Sequence, residues 1–101
     1  MARETLRDGK CHGACPCCER ELNLTFHHLI PKKMHRRQHF KKNFTNDQLN
    51  LGIYLCRQCH NGIHRLYTEM TLAKEFNTLQ QLKSDDQLNK HFSWVAKQKR
   101  L

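Results

Sequence analysis

Two Cys-x-x-Cys pairs, Cys15/Cys18 and Cys56/Cys59, stand 37 residues apart in a chain of 101. Two cysteines separated by two residues place their sulfurs on one side of a tight turn, and two such turns supply a closed tetrahedral zinc site. A four-cysteine site of that kind is structural, because no coordination position stays free for a substrate. It also forces two distant turns to meet, so the residues between them must leave the metal and return. The competing arrangement for six cysteines is three disulfides in a secreted protein. The opening residues Met1-Ala2-Arg3-Glu4-Thr5-Leu6-Arg7-Asp8 are charged and lack the apolar run of a secretory leader, which argues for a cytoplasmic setting and for metal. Cys11 and Cys17 are surplus. Spacing admits either as an alternative ligand, but the paired turns make the better set, and these two read as spectator thiols.

At this length the hydrophobic core is thin, and with 38% hydrophobic and 8% aromatic residues a metal staple is a natural supplement. One domain is expected, and no stretch is apolar enough to span a membrane. The formal net charge is +9, which makes polyanions, nucleic acid first, the expected partners. The charge is concentrated rather than spread. From Lys32 to Lys42, six of eleven positions are basic (Lys32, Lys33, Arg36, Arg37, Lys41, Lys42) and none is acidic.

Residues 1–10 hold few apolar anchors and read as a loose arm. Residues 11–21 read as a knuckle punctuated by Gly13 and Pro16. Apolar alternation at Leu22, Leu24 and Phe26 predicts a strand that ends before Pro31. Residues 32–42 then read as a long functional loop with room for a helical turn. Leu49-Asn50-Leu51-Gly52-Ile53-Tyr54-Leu55 predicts a second strand running into Cys56, followed by a helix from Gln58 to Glu69. The pattern of Leu72, Ala73, Phe76, Leu79 and Leu82 is helical, with a break at Asn77-Thr78. Ser84-Asp85-Asp86-Gln87 resembles a capping box for a last helix bearing Leu88, Phe92 and Val95. The expected organisation is an arm (1–10), a core (11–69) and a helical extension packed on it (70–101).

The second cluster is made of histidines. His60 and His64 lie one helical turn apart on a common face, and can share an ion with His27. Three neutral nitrogens leave positions for water and substrate, the arrangement of a catalytic site. Adjacent His27 and His28 point to opposite faces of a strand, so they can hold different jobs. His12, His35, His39 and His91 lack such partners and read as loop or surface residues, with His35 and His39 near enough to the basic segment to touch phosphate.

His27-His28-Leu29-Ile30-Pro31, then Leu49-Asn50-Leu51, then Cys56-Arg57-Gln58-Cys59-His60 with His64, together closely resemble the HNH endonuclease motif. The match runs from about residue 15 to 65, and nothing in residues 70–101 carries a comparable motif. The resemblance implies an α+β fold: a small ββα-metal core braced by the four-cysteine zinc site, with additional C-terminal helices. It implies that His27 is a metal ligand where many relatives have aspartate, and that His28 is the general base. Asn50 then looks like the family asparagine that ties the loop backbone and so holds His28. His60 and His64 complete the ion's ligands. An all-nitrogen set favours zinc, nickel, cobalt or manganese over magnesium.

The resemblance further implies hydrolysis of phosphodiester bonds in DNA, duplex in the first instance and RNA not excluded, by a bacterial or phage-encoded protein. Arg65, directly after His64, is a candidate for contacting the scissile phosphate. Lys32, Lys33, Arg36, Arg37, Lys41 and Lys42 follow His28 within fourteen residues and should grip phosphates with little sequence preference. Phe40 can wedge between bases, though packing beneath the loop suits it better. The alternative reading is a non-catalytic zinc-ribbon module that binds nucleic acid; such a module has no need of His28.

Overall fold

A computed structural model describes residues 4–9 and 11–98. Three strands, β1 (Cys11–Ala14), β2 (Glu21–His28) and β3 (Gly52–Cys56), form an antiparallel sheet in that order. Two strands were expected. The third arises because the knuckle is a hairpin loop: the Cys15 amide donates to the Arg20 carbonyl at 2.9 Å and the Glu19 amide to the Cys15 carbonyl at 2.8 Å. The chain therefore doubles back, pairing Cys11 with Leu24 and Ala14 with Glu21. Glu19 closes this turn at φ 68°, a left-handed conformation that costs a residue with a Cβ about 1–2 kcal/mol.

Between β2 and β3 the basic segment is more ordered than a loop. Lys32–Met34 form a 3-10 turn, and two short helices follow, α1 (Gln38–Asn43) and α2 (Asn46–Asn50). Met34 and Phe40 are buried with Ile30, Leu49 and Ala73, so Phe40 anchors the segment from below. Leu49 and Asn50, expected in a strand, belong to α2. A reciprocal cap decides this: the Gln48 amide donates to Thr45 Oγ1 and the Thr45 amide to Gln48 Oε1. The strand starts only at Gly52.

β3 leads directly into α3 (Arg57–Leu66), which stops short of the expected Glu69. Thr68 ends it by capping a new helix, α4 (Glu69–Glu75), through the Thr71 amide. Thr78 caps α5 (Leu79–Ser84) as its position suggested. α6 (Asp86–Ala96) is capped by Asp85, one residue later than the expected Ser84, with the Leu88 amide as donor.

The main core surrounds the four paired cysteines with Leu29 just after β2, Ile53 and Leu55 from β3 and Ile63 from α3, and with Leu72, Leu82, Leu88, Phe92 and Val95 from the later helices. Each of these large side chains adds roughly 1.5–3 kcal/mol on burial. The C-terminal helices are thus part of the same core, not a separate layer. α6 reaches α3 through a close contact: the His91 ring lies where a Cβ on Gly62 would stand. His91 Nε2 donates to the Gln58 carbonyl at 3.0 Å, which makes this residue a packing element, not the surface residue expected.

Residues 4–9 are also tied down, unlike the loose arm expected. Thr5 and Gly52 exchange two backbone hydrogen bonds of 2.8 Å, the Glu4 carboxylate accepts from the Leu79 amide, and the Asp8 amide donates to the Tyr54 hydroxyl. The rest of that expected arm, and the last three residues of the helical extension, lie outside the described residues. Among the described residues no helix is long and apolar enough to cross a membrane.

Candidate metal centres

The hairpin loop carries Cys15 and Cys18, and the junction of β3 with α3 carries Cys56 and Cys59. All four are buried, and their sulfurs lie within 4.8 Å of one another. A zinc ion with bonds of about 2.3 Å sets its sulfurs about 3.8 Å apart, and Cys18 Sγ to Cys56 Sγ is 3.6 Å. The set can hold a structural metal ion such as zinc. Backbone amides support it, Cys56 N donating to Cys15 Sγ at 3.5 Å and Cys59 N to Cys56 Sγ at 3.4 Å. The second bond makes Cys56 the N-cap of α3 as well.

Hydrogen bonds among the sulfurs of Cys15, Cys56 and Cys59 drive their acidities apart. Hydrogen bonds from Cys17, then Cys56 and Cys59, draw Cys15 far below the usual thiol range. Cys59 is pushed up as a donor to Cys15 and Cys56, and Cys56 rises to about 11 chiefly through its bond with Cys15. A dication held by these four sulfurs would displace the remaining thiol protons. Cys11 and Cys17 stand outside the set, but Cys17 is not a bystander: it hydrogen-bonds the Cys15 sulfur and is pushed up by doing so. Arg20 adds a positive charge beside Cys18 and Cys56, and its arm reaches Gln58 Oε1 and the Gln98 carbonyl, binding the knuckle to both ends of the helical half. The motifs did not single out Arg20; its place directly after the knuckle was the available signal.

The second cluster is built across β2 and α3. Side chains alternate along β2, so Thr25 and His27 face α3 while Phe26 and His28 face the other way. His27 is fully buried, and among the described residues neither of its ring nitrogens has a hydrogen-bond partner. A buried imidazole left so is costly unless something binds it. His60 and His64 approach it from one face of α3, with ring centroids 5.1 and 5.2 Å from His27 and 5.0 Å from each other. One nitrogen from each lies within 4.8 Å of the others. Burial falls from His27 through His60 to His64, so the cluster faces solvent on the His64 side.

Electrostatics keep all three neutral, the state a ligand needs. Burial first, then the charges of His60, His64 and His28, lowers His27 to about 3. Burial and His64 lower His60 to about 4. His64 is lowered by burial, opposed by the carboxylate of Glu69. Thr25 sets the tautomer of His60. Its hydroxyl donates to the Leu55 carbonyl at 3.1 Å, so it accepts from His60 Nδ1 at 2.8 Å and leaves Nε2 bare. Thr25 was not anticipated, although its period-two relation to His27 was legible.

His28 leaves the other side of the strand end, yet its charge reaches both His27 and His60, so it flanks the histidine cluster. Its ring packs edge-on against Phe26 at 4.9 Å and lies 5.7 Å from His35. Burial, then the positive charges of His35, Lys32 and Arg7, lowers its pKa and favours the neutral ring. His35 is therefore not partnerless as read from sequence: it faces His28, and its Nε2 donates to the Ile30 carbonyl at 2.7 Å. Arg7 reaches this neighbourhood only because Thr5 pairs with Gly52, a relation no local pattern announces.

Two expected residues lie elsewhere. Asn50 is exposed and its Nδ2 donates to the Asn46 carbonyl at 2.9 Å; it ties backbone within α2, and among the described residues no hydrogen bond joins it to His28, which pairs with Gly52. Arg65 follows His64 but sits about 100° further around α3. It lines a groove against α6 with Leu66, His91 and Trp94, away from the histidines. Of the basic segment, Lys33 pairs with Glu69 at 3.6 Å, a surface ion pair worth little, and Lys32, Arg36, Arg37, Lys41 and Lys42 are exposed. His12 and His39 are exposed and distant from this cluster in their contacts, with Asn23 and Asn43.

No family model matches the chain, and no solved structure matches it. The uncharacterized protein YisB of Bacillus subtilis (strain 168) is 34% identical over 87 residues, covering 85% of this chain and 76% of that protein.

Proposed function

The chain belongs to the same family as YisB, and we propose that it is a metal-dependent endonuclease of the HNH type, hydrolysing phosphodiester bonds in DNA with little sequence preference. The observation that carries this reading is His27, fully buried with both nitrogens unpartnered among the described residues, at the meeting point of His60 and His64. A structural role already has its own centre in the four cysteines. A second cluster of a different donor type, grading from buried to exposed, suits a task that needs solvent and substrate.

His27, His60 and His64 would hold the ion, with Thr25 keeping His60 Nε2 free for it. When bound, the ion supplies Lewis acidity toward a phosphate oxygen and the departing sugar oxygen. His28, kept neutral, accepts a proton from the attacking water at a ring nitrogen. Lys32 and Arg7, whose charges face His28, give an approaching phosphate a positive boundary, and Arg36, Arg37, Lys41 and Lys42 extend it along the duplex. Asn50 steadies the backbone that delivers β3.

Incubation of purified protein with supercoiled plasmid, with and without added manganese or nickel, tests the reading. Nicking or linearisation is expected with the ion and not without it, and His28→Ala should abolish it while binding persists. DNA binding without cutting under every ion would replace this reading by a non-catalytic zinc-ribbon module.

A further inference from the structure

We propose that the groove between α3 and α6 is a binding site for unpaired nucleotides, with Trp94 as the surface on which a base stacks. Trp94 is 54% exposed and Leu66 39%, an unusual outlay of apolar surface on so polar a chain. The two border a cavity of about 490 Å³, within the range of small-ligand pockets. The indole is not a loose side chain. It lies nearly parallel to the His91 ring, at 26° and 6.1 Å. His91 is in turn pinned by the Gln58 carbonyl and wedged against Gly62. The indole thus lies beside a ring that is itself held in place, and leaves much of its surface open at the groove.

Charge selects the occupant. Arg65 and Lys90 flank the groove, and among the described residues no acidic side chain lines it. An apolar peptide would gain nothing from two cations, and an acidic peptide has no use for a braced aromatic plane. A nucleotide satisfies both, its base on the indole and its phosphates on Arg65 and Lys90. In a duplex the base faces are already stacked, so the segment must be unpaired. The groove also shares its helix with the histidine cluster: α3 carries His60 and His64 on one face and Gly62 and Leu66 on the opposite one, with Arg65 between the two. A strand leaving the histidines would cross Arg65 into the groove. The inference rests on the nucleic-acid partner proposed above but not on hydrolysis.

The chain has a single tryptophan, so its emission reports the groove directly. The His28→Ala protein, without added divalent ion, would be titrated with a labelled single-stranded oligonucleotide and with the duplex of the same sequence. Emission and label anisotropy are followed together. The single strand should quench the tryptophan, while the duplex binds with little quenching. Trp94→Ala should weaken single-strand binding about tenfold, as expected for the loss of one base–aromatic stack, and Trp94→Phe should retain most of it. Lys90→Ala should lower the salt dependence by about one phosphate contact. Anisotropy that rises with unchanged emission, or equal single-strand affinity in folded Trp94→Ala, would overturn the inference. Absence of any nucleic-acid binding would overturn it together with the proposed partner. Failure of the unmodified protein to cut plasmid, with single-strand quenching intact, would remove only the nuclease reading.

Discussion

Thr25 accepts a hydrogen bond from His60 Nδ1 at 2.8 Å because its own proton is committed to the Leu55 carbonyl. A hydroxyl with one proton thereby fixes which nitrogen of a distant imidazole is free. Replacing Thr25 with valine keeps the shape and removes the acceptor. Affinity for a divalent ion at the histidines should fall by about 10–100-fold, the usual effect of losing a ligand's outer partner. Isothermal titration with nickel or zinc would measure it, with Thr25→Ser expected to stay near the parent. Equal affinity in the valine variant would show that the histidines need no such orientation.

Cys56 both joins the sulfur set and caps α3, and the two roles can be separated. Serine keeps an oxygen able to accept from the Cys59 amide but is a poor zinc ligand. If the sulfurs hold zinc, Cys56→Ser should release it and leave the domain largely unfolded, since structural zinc contributes on the order of 10 kcal/mol, comparable with the whole stability of a small domain. Metal content by atomic emission and circular dichroism are the readouts. A variant as stable as the parent would mean the cap alone matters there.

The neutral histidines make stability depend on pH. In the folded chain His27 is held to about 3 and His60 to about 4, against an ordinary 6.5. Between those values the unfolded chain binds more protons than the folded one. Stability from these groups is therefore complete above the ordinary value and is lost as pH falls below it, by up to about 1.4 kcal/mol per pH unit for each histidine. Urea unfolding of protein without an ion at the histidines should show a decline from about pH 7 to about 5.5, and His27→Leu should make it clearly shallower, leaving the His60 share. An unaltered slope in that variant would contradict the burial argument.

Gly62 gives the His91 ring the space that a Cβ would occupy. Alanine favours a helix, but here it must push the ring off the Gln58 carbonyl. Gly62→Ala should destabilise by about 1–3 kcal/mol, as overpacking does. The pairing with His91→Ala should recover most of the loss, because the clash disappears with the ring. Additive effects in thermal melts of the two single and one double variants would show that α3 and α6 are not joined at this point.

Much of both side-chain clusters was legible from spacing. Cys-x-x-Cys constrains its sulfurs through the local backbone, and His60 with His64 share a face in any helix. The tail's apolar positions, Leu72, Leu82, Leu88, Phe92 and Val95, were likewise readable as core from their period. Other features had no local signal. The pairing of residues 11–14 depends on a hairpin whose loop looked like an isolated knuckle. Asn50 lies in α2 because the Thr45–Gln48 cap outweighs the apolar alternation that follows.

Local patterning thus determined which residues can bind metal, which segments turn, and which faces are apolar, since each follows from a few bonded neighbours. The tertiary structure decided what surrounds them: Thr25 behind His60, Arg7 and His35 beside His28, His91 against Gly62, and Arg65 lining one groove with Trp94. Those relations join residues whose contact depends on how whole elements pack, and that is settled by burial and close fit across the fold, not by any short run of sequence.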